Sequence, residues 1–262
     1  MKSTRPLIMV SNDDGVNAKG LRYLIETLLP LGDVVAVAPD GPRSGQSSAI
    51  TVEQPLRMRR CPDWLGATIY AVSGTPVDCI KLGLHAAMPR KPDLMVCGVN
   101  HGSNAGNCVV YSGTMGAVME ACIVGIPAIG FSLLHHSLDA DFTECGPYLT
   151  DIVSHVLAEG LPAGVCLNVN IPALVRPEGM KVTRAALGYW TEEYVEHKDP
   201  SGRPYWWLTG QFHNVEPDDP ATDEYWLKRR YVTVVPVRVD QSATDMVPAV
   251  EHLLNIDNQS TK

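Results

Sequence analysis

This chain predicts an α/β protein: a Rossmann-like, doubly wound, mostly parallel sheet with a C-terminal β-hairpin extension. Three observations predict it. From residue 6 to about 172, short apolar runs of strand length alternate with amphipathic helical stretches. The runs are near-continuously apolar, as expected of strands buried on both faces. After Pro172 the texture changes to Tyr, Trp, Thr and charged residues in short alternating segments, the pattern of antiparallel hairpins.

Taken in order, the predicted strands are Leu7–Val10, Val34–Ala38, Ile69–Val72, Leu94–Cys97, Ala128–Phe131 and Cys166–Val169. The predicted helices are Lys19–Leu29, Val77–Ala87, Met115–Val124 and Tyr148–Leu157, with Thr75 placed to cap the second and Pro76 at its start. Hairpin strands are expected around Tyr205-Trp206-Trp207-Leu208 and Tyr231–Val235. Residues 1–175 read as the α/β core, and 176–262 as a hairpin and tail region that extends the same domain for oligomerisation. The last dozen residues, beginning near Ile256, are polar and read as frayed.

With 262 residues, 45% of them hydrophobic and 19% charged, the chain has the composition of one large globular domain, or a domain with an appended part. A formal net charge of -8 argues against a nucleic-acid polymer or an anionic membrane surface as partner. An anionic small molecule remains compatible, because a bound metal supplies positive charge locally. The basic start, Met1-Lys2-Ser3-Thr4-Arg5, is followed by too short an apolar run for a signal-peptide core, and no stretch approaches the ~20 apolar residues of a membrane span. The 7 cysteines are scattered and never form a CxxC pair; Cys79, Cys97 and Cys166 sit in apolar patterns. They read as reduced thiols of a cytoplasmic protein.

In open parallel sheets, ligands bind beyond the carboxyl ends of the strands. Four loops follow strands here. The first, Asn12-Asp13-Asp14-Gly15, places adjacent carboxylates where a buried strand emerges. Such a pair is costly unless a cation offsets it, and a hard divalent ion does so. A helix cap or an Asx-turn is equally good chemistry for this segment alone. The second loop, Pro39 to Ser48, is rich in glycine and hydroxyls and includes Ser44. The third is Ser73-Gly74-Thr75-Pro76. The fourth, Gly98 to Asn107, carries Asn100, His101 and Asn104 and leads to Tyr111-Ser112-Gly113-Thr114. A helix opening on Ser112-Gly113-Thr114 turns backbone N–H groups and hydroxyls toward an anion. Each loop alone passes as turn punctuation; together they favour a metal-plus-phosphate site. The oxygen donors Asp13, Asp14, Ser44 and Asn100 suit Mg²⁺, Mn²⁺ or Ca²⁺ over zinc. Neither a G-x-x-x-x-G-K-[ST] loop nor a G-x-S-x-G elbow is present.

The run Val10 to Gly15, the loop Ser44-Gly45-Gln46-Ser47-Ser48, Gly74 to Cys79, and Gly98 to Asn104 with Tyr111 to Thr114 together resemble the stationary-phase survival protein SurE family. Asp199 to Trp207 and Thr222-Asp223 resemble its C-terminal features, so the likeness covers most of the chain. The resemblance implies a metal-dependent 5'/3'-nucleotidase acting on nucleoside monophosphates, with short polyphosphate as a further substrate. One divalent cation, Mg²⁺ or Mn²⁺ with Ca²⁺ as a crystal substitute, would be held by Asp13, Asp14, Ser44 and Asn100. Phosphate contacts would come from Asn104, Ser112, Gly113 and Thr114. It also implies a homodimer or homotetramer with exchanged C-terminal segments. Lys19, Ser201 and Arg230 depart from the family pattern, which usually has proline, arginine and glycine there.

The chemistry expected is phosphomonoester hydrolysis. Asp13 and Asp14 are the catalytic candidates: Asp14 orients or deprotonates water, or Asp13 attacks directly. His101 reads first as a bystander and second as a general acid. Trp206 and Trp207 read first as packing or subunit contacts and second as base-stacking groups. Glu120 and Asp78 read as structural, while Asp223 reads equally as a site residue or as part of a helix start capped by Thr222. Two other classes share aspartates after the first strand: a nucleoside N-ribohydrolase, which leaves the Ser112 loop without a role, and a phosphoacceptor module, for which the chain is too long.

Overall fold

A computed structural model of the chain describes residues 5–137 and 139–254. The frayed tail expected from Ile256 onward lies outside the described residues. In chain order the strands and helices are β1 (Leu7–Ser11), α1 (Lys19–Leu28), β2 (Asp33–Pro39), β3 (Met58–Trp64), β4 (Ala67–Val72), α2 (Pro76–Ala86) and β5 (Leu94–His101). A 3₁₀ turn (Gly106–Val110) then leads to α3 (Gly113–Ile123), β6 (Ala128–Leu133), α4 (Gly146–Glu159), β7 (Val165–Ile171) and β8 (Met180–Val182). The remainder comprises β9 (Gly188–Thr191), β10 (Tyr194–Lys198), β11 (Pro204–Leu208), β12 (Gln211–Asn214), α5 (Asp223–Leu227), β13 (Val232–Arg238) and α6 (Val247–Leu253).

Period-2 alternation along β1 builds the two sides of the core. Ile8 and Val10 point to the layer of α1 and α4, where Leu21, Leu24, Ile25 and Leu28 form the apolar stripe of α1. Leu7 and Met9 point to the opposite layer, with Ile80 of α2 and Met115 and Val118 of α3. Each fully buried aliphatic side chain of this kind contributes about 1.5–3 kcal/mol. The helix starts are equally legible: Thr75 and Asp78 form a reciprocal capping box at α2, with Pro76 in the first turn.

The main sheet has nine strands in the order β3-β4-β2-β1-β5-β6-β7-β13-β8. β1 pairs in parallel with β2 on one side and with β5 on the other. The chain therefore winds outward from β1 in one direction, then returns to continue from β5 in the other, and the switch point lies between these two strands. That crevice is where ligands bind in doubly wound sheets.

One sequence expectation is corrected here, and one strand appears that the sequence did not announce. Tyr231–Val235 is not part of a hairpin: from Val232 on it belongs to β13, which joins the main sheet antiparallel to β7 and parallel to β8. Lying between β7 and β8 buries Val232, Val234 and Val235, which explains the apolar content of that run. β3, a polar edge strand containing Pro62, pairs antiparallel with β4 and had no apolar pattern to announce it. The Tyr205–Leu208 hairpin is present, as β10 paired antiparallel with β11, and β9 pairs with β12 in a second ribbon. Arg230 adopts φ +66, the left-handed region that favours the glycine expected there, and its guanidinium pairs with Glu178.

Candidate active site

The end of β1 is folded into a fixed turn by its own asparagine. The Asn12 side chain accepts from Gly15 N–H (3.2 Å) and donates to Gly15 C=O (3.1 Å), so Asp13 and Asp14 are held at the turn with different surroundings. Asp13 is buried, and its Oδ1 accepts a 2.7 Å hydrogen bond from the Thr114 hydroxyl in the first turn of α3. Its backbone carbonyl accepts from Arg43 N–H (2.7 Å), which ties the second loop to the first. Burial pushes the Asp13 carboxyl up to about 6; the Thr114 bond pulls it back, and the Asp14 charge raises it further. Asp14 is partly exposed. Its Oδ2 lies 3.0 Å from His101 Nδ1 and 3.3 Å from the His101 backbone N–H.

Asn100 reaches the same crevice from β5. The register between β5 and β6 shifts between Cys97 and Asn100, an irregularity of the kind that re-aims side chains beside active sites. Gly98 makes the bend possible: it has φ +130, and a Cβ there would lie 2.3 Å from the Phe131 carbonyl oxygen. The Asn100 amide nitrogen donates to Gly102 C=O (2.9 Å), which leaves the buried carboxamide oxygen as an acceptor. Asn104 is fixed by a buried amide network: its amide donates to Ser132 Oγ (2.8 Å), and Asn170 and Asn168 hold its backbone N–H and C=O.

α3 aims its N-terminus at Asp13. Ser112 caps the helix by accepting from Met115 N–H (3.0 Å). Gly113 packs so closely that an added Cβ would lie 3.0 Å from the Asp13 Cβ and 3.2 Å from its Oδ2. The Thr114 hydroxyl, read from the sequence as a phosphate contact, gives its one proton to Asp13. The backbone N–H groups of Gly113 and Thr114, which have no intrahelical acceptor, are what this turn offers an anion.

A cavity of about 550 Å³ brings Asp13, Ser44, Asn100, Asn104 and Ser112 together. That size is typical of small-molecule sites. A second cavity of about 690 Å³ opens on the other side of Ser44 and His101, against Asp14 and Lys19. The third loop does not line either cavity. Thr75 is occupied by the capping box and by a 2.6 Å bond to Ala49 C=O, and Pro76 supports Gly113 from behind.

Other expected candidates fall elsewhere. Trp206 and Trp207 are exposed on β11 and do not line the cavity. Asp223 is fully buried and accepts from the backbone N–H groups of Gly106, Ala186 and Glu224, each at 2.8 Å, so it clamps the fourth loop to the start of the β9 ribbon. Thr222 makes no side-chain capping bond at α5. Asp78 and Glu120 are structural, the first in the capping box and the second paired with Lys81 at 2.7 Å. Sequence reasoning missed Cys108, Trp190, Glu193 and Tyr194, which line the cavity, and gave Tyr111 no role beyond its motif; only the aromatic texture near the hairpins hinted at such a wall.

The donor set fits a hard cation. Asp13 makes no salt bridge to Lys or Arg among the described residues, and its buried carboxyl is pushed toward the neutral form, a cost that a cation would offset. No group of three or more His, Cys, Asp or Glu gathers among the described residues, so an ion here would draw on the carboxamide and hydroxyl oxygens of Asn100 and Ser44 as well.

Fold and site together define a doubly wound α/β protein with an oxygen-rich site at its switch point. The family model described as survival protein SurE matches residues 8–192, and the chain belongs to the SurE family. It is 47% identical to the 5'-nucleotidase SurE of Phocaeicola vulgatus, over 94% of this chain and 96% of that one. It is 49% identical to the 5'-nucleotidase SurE of Christiangramia forsetii, over 93% and 95%. The crystal structure of the SurE protein from Aquifex aeolicus superposes with a TM-score of 0.81 at 35% identity, covering 95% of this chain and 100% of that chain.

Proposed function

We infer that the chain is a 5'-nucleotidase, hydrolysing nucleoside 5'-monophosphates to nucleoside and phosphate. The observation that carries this reading is the contact between Asp13 and the first turn of α3, which sets a buried carboxylate against a helix N-terminus beside a cavity that also gathers Ser44, Asn100, Asn104 and Ser112. Relatives named 5'-nucleotidase SurE, aligned over nearly the whole chain, support it.

Asp13, Asp14, Ser44 and Asn100 would hold one divalent cation, Mg²⁺ or Mn²⁺. Bound there, the ion neutralises phosphate charge and lowers the pKa of a water. The N–H groups of Gly113 and Thr114, with Ser112 and Asn104, hold the phosphoryl oxygens as charge builds on them. Asp14 is the better placed base. It is the less buried of the two acids, and with Oδ2 held by His101 it would meet the cation through one lone pair of Oδ1 and the water proton through the other. The water proton passes to Asp14 as the new P–O bond forms, and the ester P–O bond breaks with its electron pair leaving on the nucleoside oxygen, which takes up a proton from solvent. Asp13 has Oδ1 engaged by Thr114, which suits holding better than attack.

Finer readings share this basis. Nucleoside 3'-monophosphates and short polyphosphate present the same terminal phosphoryl group. The β10–β11 ribbon projects Tyr205, Trp206 and Trp207 into solvent while Tyr194 and Leu208 line the cavity; the exposed aromatics support exchange of this arm between copies in a homodimer or homotetramer. Light scattering after deletion of the arm tests that: an unchanged mass contradicts it. Buried free thiols at Cys79, Cys97 and Cys166 support a cytoplasmic setting, and among the described residues no helix is long and apolar enough to cross a membrane. A fluorescent-protein fusion found outside the cytoplasm contradicts that setting.

The test of function is a panel of AMP, GMP, CMP, UMP and their 3' isomers, assayed for free phosphate and free base. Phosphate with intact nucleoside supports the reading. Free base without phosphate would point to an N-ribohydrolase, and a stable aspartyl label from acetyl phosphate without hydrolysis to a phosphoacceptor.

A further inference from the structure

The two cavities meet at His101, which lines both. Its side chain is nonetheless buried, with 7% of its surface exposed. Nδ1 lies 3.0 Å from Asp14 Oδ2, and the His101 backbone N–H reaches the same oxygen at 3.3 Å. Nε2 is buried and has no hydrogen-bond partner among the described residues. An ionised carboxylate only accepts, so the ring proton of this pair sits on Nδ1. Nε2, with no acceptor facing it, keeps a bare lone pair. The one ring proton is therefore engaged by Asp14, which leaves His101 none to hand to a leaving group.

The ring is also held from behind. It stands edge-on to Phe142, with 5.1 Å between centroids and 87° between planes. Phe142 is itself buried and stacks on Tyr23 of α1 at 5.8 Å. The Tyr23 hydroxyl donates to Thr143 C=O (3.2 Å), which closes the brace beside Phe142. β5 thus delivers Asn100 and His101 together, the second pinned between a carboxylate and an aromatic stack. A leucine would fill much of the same space; what it lacks is the Nδ1 proton.

We propose that His101 is a positioning residue for hydrolysis: its Nδ1–H bond to Asp14 Oδ2, stiffened by Phe142, fixes the plane of the Asp14 carboxylate and so presents Oδ1 to the cation and the attacking water. The proposal rests on the nucleotidase reading above. The backbone bond alone is the longer of the two, and the terminal torsion of an aspartate is soft. Two donors on one oxygen fix the plane where one would leave it free to turn. Groups that orient a metal-binding carboxylate in this way typically carry 10–100-fold in metal affinity or activity. Because the bond acts on the base and the ion, its loss shows in kcat and metal affinity more than in KM.

The test compares the full-length wild type with His101→Leu, His101→Asn and His101→Gln. It measures AMP kinetics at saturating Mn²⁺, and calorimetric titration of the metal-stripped protein with Mn²⁺ alone. The short amide of asparagine puts its nitrogen where Nδ1 stands, whereas that of glutamine reaches toward Nε2. The expected result in His101→Leu and His101→Gln is a fall of at least about tenfold in kcat, with KM for AMP within about threefold. The Mn²⁺ dissociation constant weakens about tenfold in both, and His101→Asn recovers most of each loss. Unchanged kcat and Mn²⁺ affinity in His101→Leu overturn the proposal. Identical behaviour of His101→Asn and His101→Gln overturns it too, since the ring would then be filler; this comparison decides alone if His101→Leu does not fold. No phosphate release by wild type is a different failure: it removes the nucleotidase reading, and the Mn²⁺ titration then decides whether His101 positions Asp14.

Discussion

Thr114 Oγ1 donates a 2.7 Å hydrogen bond to Asp13 Oδ1, joining the end of β1 to the first turn of α3 across the buried floor of the cavity. The bond holds a carboxylate in place where burial disfavours its charge. Partners of metal-binding groups typically matter 10–100-fold in affinity or activity. Thr114→Val, which keeps the shape and removes the hydroxyl, is therefore expected to weaken the activating effect of Mn²⁺ by at least about tenfold. Thr114→Ser should retain most of it. Titration of activity against Mn²⁺ measures this, and an unchanged midpoint in the valine variant contradicts the role.

The same carboxylate carries a signed pH dependence in the metal-free protein. Its folded pKa is raised, to about 6, above the ordinary 3.8. The linked stability is therefore fully present below about 3.8 and is lost as pH rises through about 6. Asp13→Asn keeps the shape without the charge. In EDTA the variant's melting temperature relative to wild type should climb between pH 4 and 6 and then level off, with a full amplitude of about 3 kcal/mol. Saturating Mn²⁺ at pH 7 should reverse the order, because wild type gains more from the ion. A difference that is flat with pH in EDTA contradicts the buried, unpaired state of Asp13.

Asp223 predicts a stability effect remote from the reacting groups. One carboxylate satisfies three backbone N–H groups, and burial raises its pKa. In Asp223→Asn an amide nitrogen must face at least one of those donors. A loss of about 1–3 kcal/mol is expected, from the cost of a buried unsatisfied donor. It should be accompanied by a higher KM for AMP, since the clamp sets where β9 and Trp190 stand. Chemical denaturation and kinetics check both; a fully stable variant would mean that the clamp is dispensable.

How much of this was legible depended on where burial is symmetrical. β1, β2, β4, β5, β6 and β7 are covered on both faces, so they read as apolar runs, and the helices between them carry clear stripes and caps. Strand order was not legible, because the order of strands in the sheet leaves no periodic mark in the sequence. β3 was hidden by its polar edge position; β13 was legible as a strand, but not its pairing with β7, which lies far back along the chain. The site's acids and amides could be read because loop chemistry after apolar strands is distinctive. Which hydroxyls serve an anion was not: Thr114 looks like a free donor in sequence and is engaged by Asp13 in the fold. Trp190 and Trp206 look alike in sequence, and only the path of the ribbon places one in the cavity and the other in solvent.

The central claim is that the oxygen cluster at the switch point hydrolyses nucleoside monophosphates with a divalent cation held by Asp13. Its most direct test is phosphate release from AMP by wild type and Asp13→Asn, each in EDTA and after addition of saturating Mg²⁺ or Mn²⁺. The account predicts release by wild type that EDTA abolishes and added metal restores, and at least a ~100-fold loss in Asp13→Asn at saturating metal. Near-normal release by Asp13→Asn with saturating Mn²⁺, or release by wild type that EDTA leaves untouched, would contradict it.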